Sequence, residues 1–233
     1  MRTNQNTRKT ITAKRGLAAL AMTALVATPL AACSSSDGGD SANASSASSS
    51  AKSAPKPVAS IEALTGKTTA IALDKGFTDA LTTLKLTPGV VGDAKLEAGS
   101  LIFPITGGNV TVFKPGEVSP YVIGQIQHEG SGLSLTAGDT KVELTNFNVD
   151  PGVSRVYGDV TVNGKVAATS AFLFQLDGRT LEPLKTEGSD AVLTGTKVEI
   201  SDVAAPLLND TFKTDAVEPG LLVGIATITV ATQ

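Results

Sequence analysis

Asp159-Val160-Thr161-Val162-Asn163-Gly164-Lys165-Val166-Ala167-Ala168 reads as a two-residue β-hairpin, and it sets the fold class. Asn-Gly accepts the positive φ angles that a tight primed turn requires, and a β-prone run stands on each side of it. Working outward, further strands are expected at Leu101 to Thr106, Val110 to Phe113, Tyr121 to His128, Leu133 to Thr136 and Lys141 to Val149. Beyond the hairpin they continue at Ser170 to Leu176, Val192 to Ile200 and Leu221 to Val230. Gly107-Gly108, Gly130-Ser131-Gly132, Gly138-Asp139 and Asp177-Gly178 separate several of these runs and read as turns. Many short strands at this spacing predict an all-β domain, an antiparallel sandwich or barrel.

One or two short helices flank it. Asp74 can cap a helix in which Phe77, Leu81 and Leu84 recur at helical spacing, with Pro88-Gly89 as its stop. Ser201 or Asp202 can open a second helix carrying Val203, Leu207, Leu208 and Phe212, with Pro206 limiting how early its first turn starts. Similar words follow each, Pro88-Gly89-Val90-Val91-Gly92 and Pro219-Gly220-Leu221-Leu222-Val223-Gly224. An internal repeat and a coincidence in a chain rich in Gly, Val and Ala are both open at this point.

The N-terminus has a different grammar. Arg2, Arg8, Lys9, Lys14 and Arg15 precede an apolar run from Gly16 to Ala27, and Leu30-Ala31-Ala32-Cys33 closes it with small residues and the chain's one cysteine. This order resembles the bacterial lipoprotein signal family. The resemblance implies cleavage before Cys33 and a diacylglycerol on its thiol. The run is shorter than the ~20 apolar residues that span a bilayer, and Thr23, Thr28 and Pro29 interrupt it. The expected organisation is therefore a signal peptide at 1–32, the lipidated Cys33 and a disordered Ser/Ala-rich linker at 33–57, and one β-rich domain at 58–233. The linker buries too little apolar surface to offset the entropy of ordering it. Its Asp37-Gly38-Gly39-Asp40 lacks the further oxygen ligands of a calcium loop. The implied location is the extracytoplasmic face of the cell membrane, with the membrane as partner through the lipid on Cys33.

Charge and composition exclude several classes. Without the five basic residues of the signal, 14 Lys and Arg face 22 Asp and Glu, a formal charge of −8. A nucleic-acid partner is not expected, because phosphate binding relies on clustered cations and no cluster follows Arg15. With Cys33 lipidated, no thiol remains for a disulfide or a nucleophile. The single histidine, His128, cannot complete a multi-ligand zinc site and would be the only base for a serine nucleophile. Gly66-Lys67-Thr68-Thr69 mimics the tail of a phosphate-binding loop, but Ile61 stands where its first glycine belongs. No catalytic set and no metal cluster are recognised, and an enzyme is not expected.

His128 is the candidate of interest. Along Tyr121-Val122-Ile123-Gly124-Gln125-Ile126-Gln127-His128, alternation puts Val122, Gly124, Ile126 and His128 on one face and Tyr121 and Ile123 on the other. One reading is a core histidine hydrogen-bonded to backbone in the Glu129–Gly132 turn. The other is an axial ligand to haem iron, for which one imidazole suffices.

Phe103-Pro104-Ile105-Thr106-Gly107-Gly108, the stretch from Gly124 to Leu135, Val142-Glu143-Leu144 and Val156-Tyr157-Gly158-Asp159-Val160 run in an order similar to the haem-transport-associated (Htaa) domain of actinobacterial surface proteins. The resemblance spans about Asp74 to Asn163. It implies a haem-binding β domain whose histidine is His128. The family's early tyrosine would fall near Phe77, where the matching position is Ala80, and no tyrosine precedes Tyr121. Two readings follow: a non-catalytic cell-envelope module, binding or structural, that takes an envelope protein or other component and needs no cofactor; or a haem or small-ligand receptor centred on His128 with Tyr121, Tyr157 and Phe147 as neighbours.

Overall fold

The computed structural model describes residues 54–232. The signal segment, Cys33 and the linker up to residue 53 lie outside the described residues. The strands are β1 (Ala59–Ile61), β2 (Thr68–Leu73), β3 (Thr87–Gly92), β4 (Lys95–Glu97), β5 (Ser100–Pro104), β6 (Gly107–Val112) and β7 (Val122–Ala137), with helix α1 (Lys75–Thr83) between β2 and β3. After them come β8 (Thr140–Asp150), β9 (Arg155–Val162), β10 (Lys165–Asp177), β11 (Lys185–Glu187), β12 (Asp190–Ile200), helix α2 (Ala204–Phe212) and β13 (Leu222–Ala231). They form one antiparallel sheet in the order β1-β6-β7-β8-β9-β10-β12-β13-β2-β5-β4, with β11 paired to β12 and β3 to β7.

The sheet curls because its long strands are bulged at matching heights. Glu129, Gly130 and Ser131 of β7 stand opposite Asn146 alone. Asn146 and Phe147 of β8 stand opposite Gly158, and Thr169 and Ser170 of β10 opposite Asp159. Bulges increase local twist and bend the strand that carries them. Side chains fill the gaps: Asn146 Oδ1 accepts from Gly130 N–H at 2.9 Å, Asn146 Nδ2 donates to Asp159 Oδ2 at 2.9 Å, and Asp159 Oδ1 accepts from Ser170 N–H at 3.0 Å. The Asn146 amide, with the Ser170 N–H, holds the Asp159 carboxyl below the ordinary carboxylate range. The Gly130-Ser131-Gly132 segment is thus a bulge inside one 16-residue strand, where the sequence suggested a turn between two strands.

The two ends of the sheet meet where the β5–β6 connection crosses β7. Thr106 N–H donates to Gln127 O at 2.8 Å, and Glu129 N–H donates to Thr106 Oγ1 at 2.9 Å. Ile105 N–H donates back to Lys67 O at 2.8 Å. These bonds close the curl around a core that includes Leu101, Phe103, Ile126, Leu133, Val142, Phe147, Val160 and Leu173.

The hairpin forms as read, with Asn163 at φ 50° and Gly164 at φ 75°. The Asp74 carboxylate caps α1 by accepting from Gly76 N–H at 2.7 Å, and Phe77 and Leu81 are buried. Its end differs from expectation: Lys85 at φ 56° turns the chain, and Pro88-Gly89 belongs to β3. Ser201 Oγ accepts from Ala204 N–H at 2.9 Å at the start of α2, while Val203, expected within the helix, stands just before it and is exposed. Pro219-Gly220 lies in the turn before β13, unlike Pro88-Gly89, so the two words do different structural work. The phosphate-loop mimic becomes a turn at Gly66-Lys67 leading into β2, with Lys67 Nζ 3.0 Å from Asp190 Oδ2.

Candidate functional site

Inside the curl lies a largely apolar cavity of about 540 Å³. That size is within the ~300–1,000 Å³ common for small-molecule sites. Its rim comes from three connections: the exposed Ser119 and Pro120 before β7, the half-buried Pro151 and Ser154 between β8 and β9, and the exposed Gly178 and Arg179 after β10. Arg179 holds Asp177 through two side-chain bonds, Nε to Oδ1 at 2.9 Å and Nη2 to Oδ2 at 2.8 Å. Those bonds pull the Asp177 carboxyl down to about 2.

Farther along β7 the wall becomes aromatic. Phe103 packs edge-on against Phe147 with centroids 5.3 Å apart, and Phe147 lies 6.0 Å from Phe174. His128, the register partner of Phe147, also packs beside Phe103, with ring centroids 6.1 Å apart. Alternation along β5 and β7 puts Leu101, Phe103, Ile126 and His128 on the inner face.

His128 is 1% exposed. Its Nδ1 is 2.8 Å from the Pro104 carbonyl oxygen, across the closure of the sheet. A carbonyl only accepts, so Nδ1 carries the proton and Nε2 bears a bare lone pair. Burial lowers the His128 pKa from its ordinary 6.5, outweighing the upward pull of the Pro104 carbonyl, so the ring is neutral at pH 7. Nε2 itself is buried with no hydrogen-bond partner. The backbone partner is therefore Pro104 on β5, while Ser131 Oγ reaches only the His128 carbonyl at 3.2 Å.

The other residues singled out from the sequence divide. Phe147 lines the cavity beside Phe103; Tyr121, expected on the face opposite His128, precedes β7 and lines the same cavity near the rim, where burial raises its pKa. Tyr157 is placed elsewhere. Val156 and Val160 of β9 are buried inward, and alternation sends Tyr157 to the outer face, where its ring lies 6.1 Å from Phe172 beneath the Arg155 guanidinium. There it borders a second, polar cleft with Gln127, Asn148 and Asp159. Phe103, Phe174 and Thr69 are cavity residues that sequence reading did not single out. The alternation of Leu101 and Phe103 was the available signal for the first of them. Among the described residues no group of three or more His, Cys, Asp or Glu side chains could hold a metal ion.

No family model matches the chain. No curated protein matches it either. Among solved structures, the C-terminal domain of HtaA from Corynebacterium glutamicum is similar, with 13% identity, a TM-score of 0.50, and coverage of 72% of this chain and 98% of that one. The heme binding protein HtaB from the same organism aligns at 11% identity and a TM-score of 0.46, over 74% of this chain and 96% of its own. The likeness to the HtaA domain shows the fold: a curled antiparallel sheet with two short helices.

Proposed function

We propose that this protein is a non-catalytic binding module that takes a flat, largely apolar ligand of the haem class into the cavity of its curled sheet. The observation that carries the reading is the state of His128. A metal-ligating histidine characteristically commits its other ring nitrogen to a carbonyl or carboxylate, which fixes tautomer and orientation. His128 has that arrangement, with Nδ1 on Pro104 O and Nε2 unpaired. Haem iron would take Nε2, and Phe103, Phe147 and Phe174 would pack the macrocycle. Haem would supply the metal centre; the chain's residues hold the imidazole neutral and exclude water. The shared fold with the HtaA domain and the sequence resemblance to Htaa domains support the same reading.

Among the cavity residues His128 would be the one to hold the iron. Ala80 occupies the position of the family's tyrosine, and neither Ala80 nor Phe77 is among the cavity residues. Nε2 is buried, so a ligand reaches it only when neighbouring side chains move. Anchoring through a lipid on Cys33 at the extracytoplasmic face, implied by the signal sequence, would place this receptor at the membrane surface.

The test is an absorbance titration with haemin. A saturable Soret shift is expected in the parent and not in His128→Ala. A shift of equal affinity in the variant removes His128 from the site, and no saturable shift in the parent refutes the reading.

A further inference from the structure

Thr69 is the second buried polar group of this cavity with nothing to bond. It is 5% exposed, and its Oγ1 has no hydrogen-bond partner. Alternation along β2 turns Thr69 and Ile71 inward, and both line the cavity. In register Thr69 stands between Phe103 of β5 and Ile228 of β13, both apolar cavity residues. Phe103 is also the ring that packs beside His128. Two orphaned polar atoms, Thr69 Oγ1 and His128 Nε2, therefore flank one phenylalanine in a wall that is otherwise mainly hydrocarbon.

Such an arrangement is costly for the empty domain. A buried hydroxyl without a partner is destabilising, and valine has nearly the same shape without that penalty. Two other buried hydroxyls are employed: Ser201 Oγ donates to Phe172 O at 2.6 Å, and Ser131 Oγ to His128 O. Thr194 and Thr227, on neighbouring strands, bond to each other at 3.2 Å. Thr69 is thus a poor choice for packing alone.

We infer that Thr69 is a ligand-contacting, specificity-determining residue, whose hydroxyl bonds a polar atom of the same ligand that His128 receives. The inference rests on the cavity being the ligand site and narrows the ligand class. The buried part of the ligand carries a hydrogen-bonding atom; in a haem the pyrrole nitrogens are bound to the iron, so a propionate oxygen is the atom that would meet the hydroxyl. An acyl chain, which would leave both orphans unmet, is selected against.

The experiment is Thr69→Val in the full protein, read by two quantities that move in opposite directions. Thermal unfolding without ligand is expected to rise by a few degrees, while haemin affinity in the Soret titration falls about tenfold. Palmitate, the acyl-chain probe, is expected to bind no more tightly than millimolar to the parent. Thr69→Ser, which keeps the hydroxyl, should retain most of the haemin affinity. A fall in unfolding temperature for Thr69→Val would show that a water or a neighbour already satisfies the hydroxyl, and would overturn the inference. Parent-like haemin affinity in Thr69→Val overturns it while leaving the His128 reading intact. Micromolar palmitate binding overturns the ligand class, and absence of haemin binding by the parent overturns the inference together with the function it rests on.

Discussion

His128→Leu should remove the domain's sensitivity to mild acid. His128 is the only histidine of the chain, so between about pH 7.5 and about pH 5 it is the one side chain whose ordinary pKa lies within the window. Its folded pKa is lowered by burial below 6.5. Below pH 6.5 the unfolded chain therefore binds a proton that the folded chain resists. Stability contributed by the neutral ring is complete above the unfolded pKa and declines as pH falls toward the folded value. A pH of about 5 lies about 1.5 units below the unfolded pKa, and each unit is worth about 1.4 kcal/mol. The loss from this residue is therefore at most about 2 kcal/mol, reached if the folded ring remains unprotonated throughout. At about pH 7.5 His128→Leu lowers stability by about 1–3 kcal/mol, because the Pro104 carbonyl loses its donor, and the gap to the parent narrows as pH falls. The variant's urea midpoint should nevertheless stay nearly flat across the window, while the parent's falls. Urea titrations followed by far-UV circular dichroism at both pH values read this directly. Parallel declines in parent and variant, or a flat parent, would refute the neutral, closed-in imidazole.

Two further substitutions test the frame around the site. Gly132→Ala would place a Cβ 2.2 Å from the Leu144 carbonyl oxygen, and because that atom is backbone the β7–β8 ladder must part; a loss of about 3 kcal/mol or more is expected in thermal unfolding. Ser201→Ala removes both the cap on Ala204 N–H and the bond to Phe172 O. It should cost about 1–2 kcal/mol by chemical denaturation while leaving haemin binding unchanged, since Ser201 lies outside the cavity.

The parts of the molecule written in local code were readable in advance. Asn163-Gly164 specifies its own turn, Asp74 its own cap, and alternation along residues 121–128 put His128 on the inner face. Strand length was not readable at the bulges. Gly130-Ser131-Gly132 has the composition of a turn, yet Asn146 and the neighbouring strands hold it within β7. Ser170, at φ 50°, interrupts β10 only locally because Asp159 takes its N–H. β2 was missed: Thr68 to Leu73 has small residues on one face and was first met as the tail of a phosphate-loop mimic. Tyr157 was grouped with His128 by residue type, although the buried Val156 and Val160 around it decide its face. The Pro104 carbonyl as the imidazole's partner depends on the sheet curling far enough for β5 to meet β7. No local window of sequence contains that information.

The position of β13 bears on how the chain reaches this state. It lies between β12 and β2, and its ladder with β2 joins Thr229 to Thr68. Pairings between residues so distant in sequence pay a large closure entropy before they return any stability, and sheets of this kind fold over ~milliseconds to seconds. Until β13 is in place, β2 and β12 each present an unpaired edge to solvent, the condition that invites association between chains. A ribosome-bound chain lacking β13 therefore has no route to the finished sheet, and assembly must wait for the distal strand. The interval before that strand docks is when this domain most needs protection from its own kind.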